Sequence, residues 1–131
     1  MCTVITYGTF DLFHVGHVRL LKRLRELGDR LIVGCSTDDF NATKGKRAIF
    51  SYEDRAEILV SCRYVDLVIP ELSWDQKPDD IRNYEAKIFA MGDDWVGKFD
   101  YLSEVTDCVV TYVPRTFDIS TTGLKAVIKE G

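Results

Sequence analysis

Apolar residues in this chain arrive in two kinds of block. Five are short and nearly continuous: 4–7, 31–35, 67–69, 87–91 and 108–113. Continuous runs of this length suit strands covered on both faces of a parallel sheet. Pro70 and Pro114 follow the third and fifth runs and are expected to stop them. Between the runs, apolar residues recur at helical spacing. Val18, Leu20, Leu21, Leu24 and Leu27 line one face of a first helix, with Gly28 as its C-terminal stop. The opposite face carries Arg19, Lys22, Arg23 and Arg25, a solvated surface. An S-x-x-D start at Ser51 and Asp54 predicts a helix to about Arg63, buried through Ala56, Leu59 and Val60. Asp79 or Asp80 can cap a short helix containing Ile81 and Tyr84, and Leu124, Val127 and Ile128 mark a last one. Polar segments fill the rest, with one helical turn expected in 36–41.

Strand and helix alternate along the whole length. That predicts an α/β fold of a single domain over residues 1–131. A Rossmann-like, five-stranded parallel sheet with helices on both faces is expected, its order 3-2-1-4-5 being that of the Rossmann type. Such sheets bind ligands beyond the carboxyl ends of their strands, where the winding reverses. The loops after strands one, four and five line that crevice.

Composition narrows the picture modestly. The chain has 131 residues, 46% apolar and 29% charged, with net charge −4. This is a globular composition, and the acidic balance argues against a nucleic-acid-coating protein. The four cysteines show no C-x-x-C spacing, and Cys35, Cys62 and Cys108 lie in or beside apolar runs, as buried thiols do. The first residues form a strand and not a signal peptide, and no apolar run is long enough to span a bilayer. A cytoplasmic protein without membrane insertion is expected.

Candidate chemistry concentrates at residues 8–17, G-T-F-D-L-F-H-V-G-H. This is a strand-to-helix turn, and a helix N-terminus offers unpaired N–H groups and a positive dipole end to an anion. His14 and His17 are the chain's two histidines, and Gly16 between them permits close approach. Such a pair can donate to phosphate oxygens, ligate a metal with further ligands, or serve structure alone. Lys44, Lys46 and Arg47 flank Gly45 in a polar stretch that can close over phosphates. Arg115 and Thr116, with Ser120, Thr121 and Thr122, form a second anion motif after strand five. Trp74 and Trp95 sit in polar loops, as ligand or subunit contacts often do.

Taken together, G-T-F-D-L-F-H-V-G-H, S-T-D-x-F-N, R-Y-V-D-x-V-I-P, M-G-D-D-W and R-T-x-x-I-S-T-T resemble the cytidylyltransferases of the H-x-G-H nucleotidyltransferase superfamily. The likeness spans essentially the whole chain and is nearest to the short bacterial enzymes that act on glycerol 3-phosphate. It implies transfer of CMP from CTP to glycerol 3-phosphate, giving CDP-glycerol of the kind used in teichoic acid or capsule-type polymers. It also implies Mg2+ as the CTP complex, metal ligands being unassigned, and a homodimer. Motif positions imply CTP contacts at Thr9, Phe10, His14, Gly16, His17, Lys46, Arg63, Arg115, Thr116, Ile119, Ser120, Thr121 and Thr122. Of these, His14, His17, Lys46 and Arg115 are the implied catalytic groups. Lys44 and Lys77 are implied acceptor contacts, and Asp11, Arg55, Asp66, Trp74 and Asp94 implied supporting residues. Asp118 departs from the family's glycine. Related enzymes use ethanolamine, choline or polyol phosphates, or ATP in place of CTP, and those remain the alternatives.

Overall fold

A computed structural model describes residues 1–114. The elements are β1 (Thr3–Gly8), α1 (Val15–Glu26), β2 (Arg30–Ser36), α2 (Asp38–Thr43), α3 (Tyr52–Ser61), β3 (Leu67–Glu71), α4 (Lys77–Asn83), β4 (Ala86–Gly92), α5 (Leu102–Val105) and β5 (Val109–Val113). All strand pairs are parallel, as the alternation predicted, and the order is β3-β2-β1-β4-β5, the one expected for a Rossmann-like sheet. The last helix expected, around Leu124, Val127 and Ile128, lies outside the described residues.

Successive strand residues point to opposite faces, so each strand feeds two cores. Val4, Leu31, Val33 and Cys35 pack with Leu21 and Leu24 of α1 and Leu59 of α3. Ile5, Tyr7, Ile32 and Phe89 pack on the other side with Ile81 of α4 and Leu102 of α5. Burial of each such aliphatic side chain contributes about 1.5–3 kcal/mol. The winding therefore reverses between β1 and β4, which places the crevice at the carboxyl end of β1. Cys35 and Cys108 are buried, Cys2 and Cys62 half-buried, and all four are free thiols. Among the described residues no helix is long and apolar enough to cross a membrane.

Several local expectations are corrected. The first helix begins at Val15, three residues before its first predicted apolar position, because His14 supplies the N-cap. Ser51 does cap α3 by accepting from Asp54 N, but α3 ends at Ser61 and Val60 is 65% exposed. Arg55 is buried in its place. Pro70 does not end β3, which runs on to Glu71. As an edge strand, β3 pairs with β2 alone, and a proline facing outward removes no ladder bond. α4 starts at Lys77 with Gln76 as its cap residue and Pro78 in its first turn, so neither Asp79 nor Asp80 caps it. Gly34 interrupts the second apolar run for a steric reason. A Cβ there would lie 2.2 Å from the Tyr7 ring, so glycine lets that ring lie against β2.

Candidate active site

The turn after β1 is held in an unusual backbone state. Phe10 and Leu12 have φ of 53° and 49°, a left-handed conformation that costs a non-glycine residue on the order of 1–3 kcal/mol. Two buried charges hold it. Asp11, between the strained residues, accepts from Leu12 N (3.1 Å), Ile49 N (2.7 Å) and Phe50 N (2.9 Å). Its carboxylate thereby ties the turn to the loop carrying Lys44, Lys46 and Arg47. Arg55, fully buried, donates to the carbonyls of Thr9 (3.0 Å), Phe50 (3.0 Å) and Ser36 (2.7 Å). Its remaining nitrogen meets Asp38 Oδ1 at 2.7 Å. One guanidinium thus joins the turn, the end of β2, the start of α2 and the lysine loop.

The two histidines close the N-terminus of α1 reciprocally. His14 Nδ1 accepts from Gly16 N at 3.0 Å, and His17 Nδ1 accepts from His14 N at 3.2 Å, completing a capping box. A neutral imidazole that accepts at Nδ1 carries its proton at Nε2. The backbone therefore selects the tautomer of both rings. The rings stack with centroids 4.0 Å apart, and Phe13 and Phe10 pack against His17 at 5.4 and 5.6 Å. Two Nε2–H donors are held side by side at the positive end of a 12-residue helix, an arrangement suited to an anion.

Cations face them across the cavity. Lys44 Nζ lies 3.5 Å from Ser36 Oγ and 4.4 Å from the Phe40 ring centroid. Burial lowers its pKa below the usual lysine value, with Lys46, Lys77 and Arg55 adding to the effect and Glu71 opposing it. Lys46 and Arg47 are exposed. Lys77 is fully buried and pairs with Glu71 at 2.6 Å. Glu71 Oε1 also accepts from Ser36 Oγ at 2.6 Å. The Tyr7 hydroxyl donates to Asp80 at 2.8 Å, and burial raises its pKa strongly.

A cavity of about 480 Å³ joins these groups. Thr9, Phe10, Asp11, His14, Gly16, His17, Lys44, Lys46, Trp74, Lys77 and Asp94 all line it, each a position singled out in the sequence. Three other such positions do not. Arg55 stands behind the wall as described. Arg63 is exposed past the end of α3, its guanidinium 5.9 Å from the Tyr64 ring centroid. Asp66 precedes β3 at the amino end of the strands, where it accepts from Leu31 N (2.7 Å) and pairs with Arg25 (3.1 Å). Arg115, Thr116, Asp118, Ile119, Ser120, Thr121 and Thr122 lie outside the described residues.

Two contributors escaped sequence reading. Glu71 reads as the start of a loop, and only the β2–β3 register, which pairs it with Ser36, brings it to the site. Asn41 accepts the Thr9 hydroxyl (3.1 Å) through Oδ1, and its carbonyl receives Lys44 N (3.0 Å) and Lys46 N (2.9 Å). Its place in the polar helical turn after β2 was the available signal. Among the described residues no group of three or more His, Cys, Asp or Glu is placed to hold a metal ion.

A doubly wound parallel sheet with paired histidines capping the helix after β1, and lysines lining the same cavity at the switch point, is an arrangement suited to a phosphate-bearing ligand. The sequence profile described as "Cytidylyltransferase-like" matches residues 5–127, and the chain belongs to that family. It is 56% identical over 128 residues to glycerol-3-phosphate cytidylyltransferase of Bacillus subtilis (strain 168), covering 98% of each chain. It is 54% identical over 125 residues to the protein of the same description from Staphylococcus aureus (strain NCTC 8325 / PS 47), covering 95% of this chain and 93% of that one. In fold it is similar to the lipopolysaccharide core biosynthesis protein from Thermoplasma volcanium GSS1. That likeness has a TM-score of 0.79 at 24% identity and covers 88% of this chain and 98% of the other.

Proposed function

We propose that this chain transfers CMP from CTP to glycerol 3-phosphate, releasing pyrophosphate and forming CDP-glycerol. The observation that carries the reading is the reciprocal histidine cap, which sets two Nε2–H donors beside each other on the wall of the lysine-lined cavity. The acceptor is read from the relatives that match nearly the whole chain.

The acceptor phosphate is an anionic nucleophile at neutral pH and requires no general base. One of its oxygens attacks the α-phosphorus of CTP in line, and the bond from that phosphorus to the bridging oxygen breaks as pyrophosphate departs. The difficulty is to bring two polyanions together and to stabilise the charge that builds on the leaving group. His14 and His17 donate to the CTP phosphates and follow the α-phosphoryl group through transfer. Lys46 and Arg115 neutralise the phosphates, with Ser120 and Thr121 presenting hydroxyls. Lys44 and Lys77 supply positive charge at the acceptor end. Thr9, Phe10 and Gly16 shape the nucleotide wall, and Thr116, Ile119 and Thr122 complete the nucleotide contacts; Arg63, which lies off the cavity wall past α3, is not among them. Asp11 and Arg55 hold the turn and the lysine loop in register, and Asp66 ties β3 to β2 away from the chemistry.

Magnesium enters as the CTP complex. The cavity wall carries the carboxylates of Asp11, Glu71 and Asp94 but, among the described residues, no cluster that would hold a metal by itself, so Mg2+ would come with the nucleotide and would offset phosphate charge. The reaction belongs to the cytoplasm, where CTP is made, and involves neither nucleic acid nor membrane insertion. A homodimer is part of the same reading; Val60 and Leu72, each 65% exposed, supply apolar surface for it.

The test is product formation from CTP, Mg2+ and glycerol 3-phosphate, followed by phosphorus NMR. CDP-glycerol and pyrophosphate in equal amounts are expected, with ATP inactive. Pyrophosphate formed from ATP and not from CTP, or no product from any acceptor, would overturn the assignment.

A further inference from the structure

Lys77 opens α4, yet its side chain is only 1% exposed. Its ammonium lies 2.6 Å from Glu71 Oε2 and 4.7, 4.9 and 5.4 Å from the ring centroids of Tyr7, Trp74 and Phe99. Three aromatic faces and one buried carboxylate are the ingredients of a receptor for an organic ammonium ion. Here the chain's own ammonium fills it. The walls come from separate elements and are fixed without Lys77. Tyr7 lies against Gly34 of β2 and is tethered through its hydroxyl to Asp80. Glu71 is held by the Ser36 hydroxyl at 2.6 Å. Tyr7, Glu71, Trp74, Lys77 and Phe99 all line the cavity that Lys44 enters.

We infer that the aromatic box around Glu71 is a cation site plugged by Lys77, and that the plug makes the acceptor end of the cavity reject phosphorylated amino alcohols in favour of uncharged polyol phosphates. The inference rests on the acceptor reading above. A cationic headgroup entering beside Lys44 meets like charge, and the surfaces able to balance it are already occupied. A polyol carries no charge to repel. Removing the plug reverses the preference, because it uncovers a carboxylate and three ring faces together.

The test uses the full chain with Lys77→Ala and choline chloride as probe, read by tryptophan fluorescence and calorimetry, with circular dichroism to verify the fold. The variant is expected to bind choline about tenfold or more tightly than the unsubstituted chain. Adding Glu71→Gln to Lys77→Ala removes the gain. A folded Lys77→Ala chain that binds choline no better than the parent, or a gain that survives Glu71→Gln, overturns the inference. A second measurement needs no variant. The parent enzyme is expected to favour glycerol 3-phosphate over choline phosphate by on the order of 10² in kcat/KM. Comparable values would overturn the plug and leave CMP transfer standing. Absence of turnover with every acceptor would overturn the proposed function and leave the choline-binding result to judge the box.

Discussion

Asp11→Asn separates the scaffold of the site from its chemistry. The carboxylate is 2% exposed and receives three backbone N–H groups, two from the lysine loop. Asparagine keeps one acceptor oxygen. Placed where Oδ1 stands, it still serves Leu12 N and Phe50 N, but its amide nitrogen then faces Ile49 N–H, donor against donor. The lost charge-assisted bond is worth about 1.5–3 kcal/mol, and the two survivors weaken as the charge disappears. A total of about 2–4 kcal/mol is expected. The Ile49 side chain is 48% exposed, so the loop can move outward and let water satisfy its N–H. Part of the cost then appears as displacement of Lys44, Lys46 and Arg47 rather than as global unfolding. Urea denaturation and steady-state kinetics with varied CTP measure the two shares. The KM for CTP is expected to rise about tenfold, the equivalent of ~1.4 kcal/mol, with unfolding free energy lowered by the balance. An unchanged denaturation midpoint together with an unchanged KM would refute the role given to Asp11.

Three further outcomes follow from the same geometry. Arg55→Lys replaces a fork reaching four acceptors with a three-donor point charge that leaves at least one unserved, so melting should register a loss of about 2–5 kcal/mol; an unchanged melting temperature contradicts the staple. Lys44 acts protonated, and burial lowers its pKa below 10.5, so acceptor KM should climb on the alkaline side before the ordinary lysine range is reached. Lys44→Arg, which stays charged, should lose that limb, and an identical pH profile would count against the assignment. Burial pushes the Cys35 thiol up to about 11, so iodoacetamide at mildly alkaline pH should spare it while labelling Cys2 and Cys62; mass spectrometry showing early Cys35 alkylation would contradict its burial.

Much of this arrangement was legible along the chain, and the failures share a cause. Runs such as L-I-V-G-C suit doubly covered strands, and their alternation with helices pointed to a parallel sheet. The turn was legible because both histidines and two glycines fall within ten residues. Arg55 was not, since a helix pattern assigns charged residues to solvent. Its burial depends on carbonyls of Thr9, Ser36 and Phe50 that converge only in three dimensions. Val60 was placed in the core for the converse reason: helical spacing proposes a stripe but cannot say which side the neighbours cover. Pro70 looked like a stop until β3 proved to be an edge. Glu71 gains its meaning from register with Ser36, which no local pattern encodes. Asp66 carries a family motif, yet its work is at the opposite end of the sheet.

The central claim is that the histidine cap presents phosphate donors, and His17→Ala tests it most directly when turnover and stability are measured on the same preparation. The structural share is the cap hydrogen bond from His14 N at 3.2 Å together with the ring contacts to Phe10, Phe13 and His14, worth about 1–3 kcal/mol. The catalytic share is one transition-state donor, worth on the order of 10²–10³ in turnover. A folded variant destabilised by about 1–3 kcal/mol, with kcat lowered by on the order of 10² or more, is the predicted result. A folded variant with near-parental turnover would contradict it.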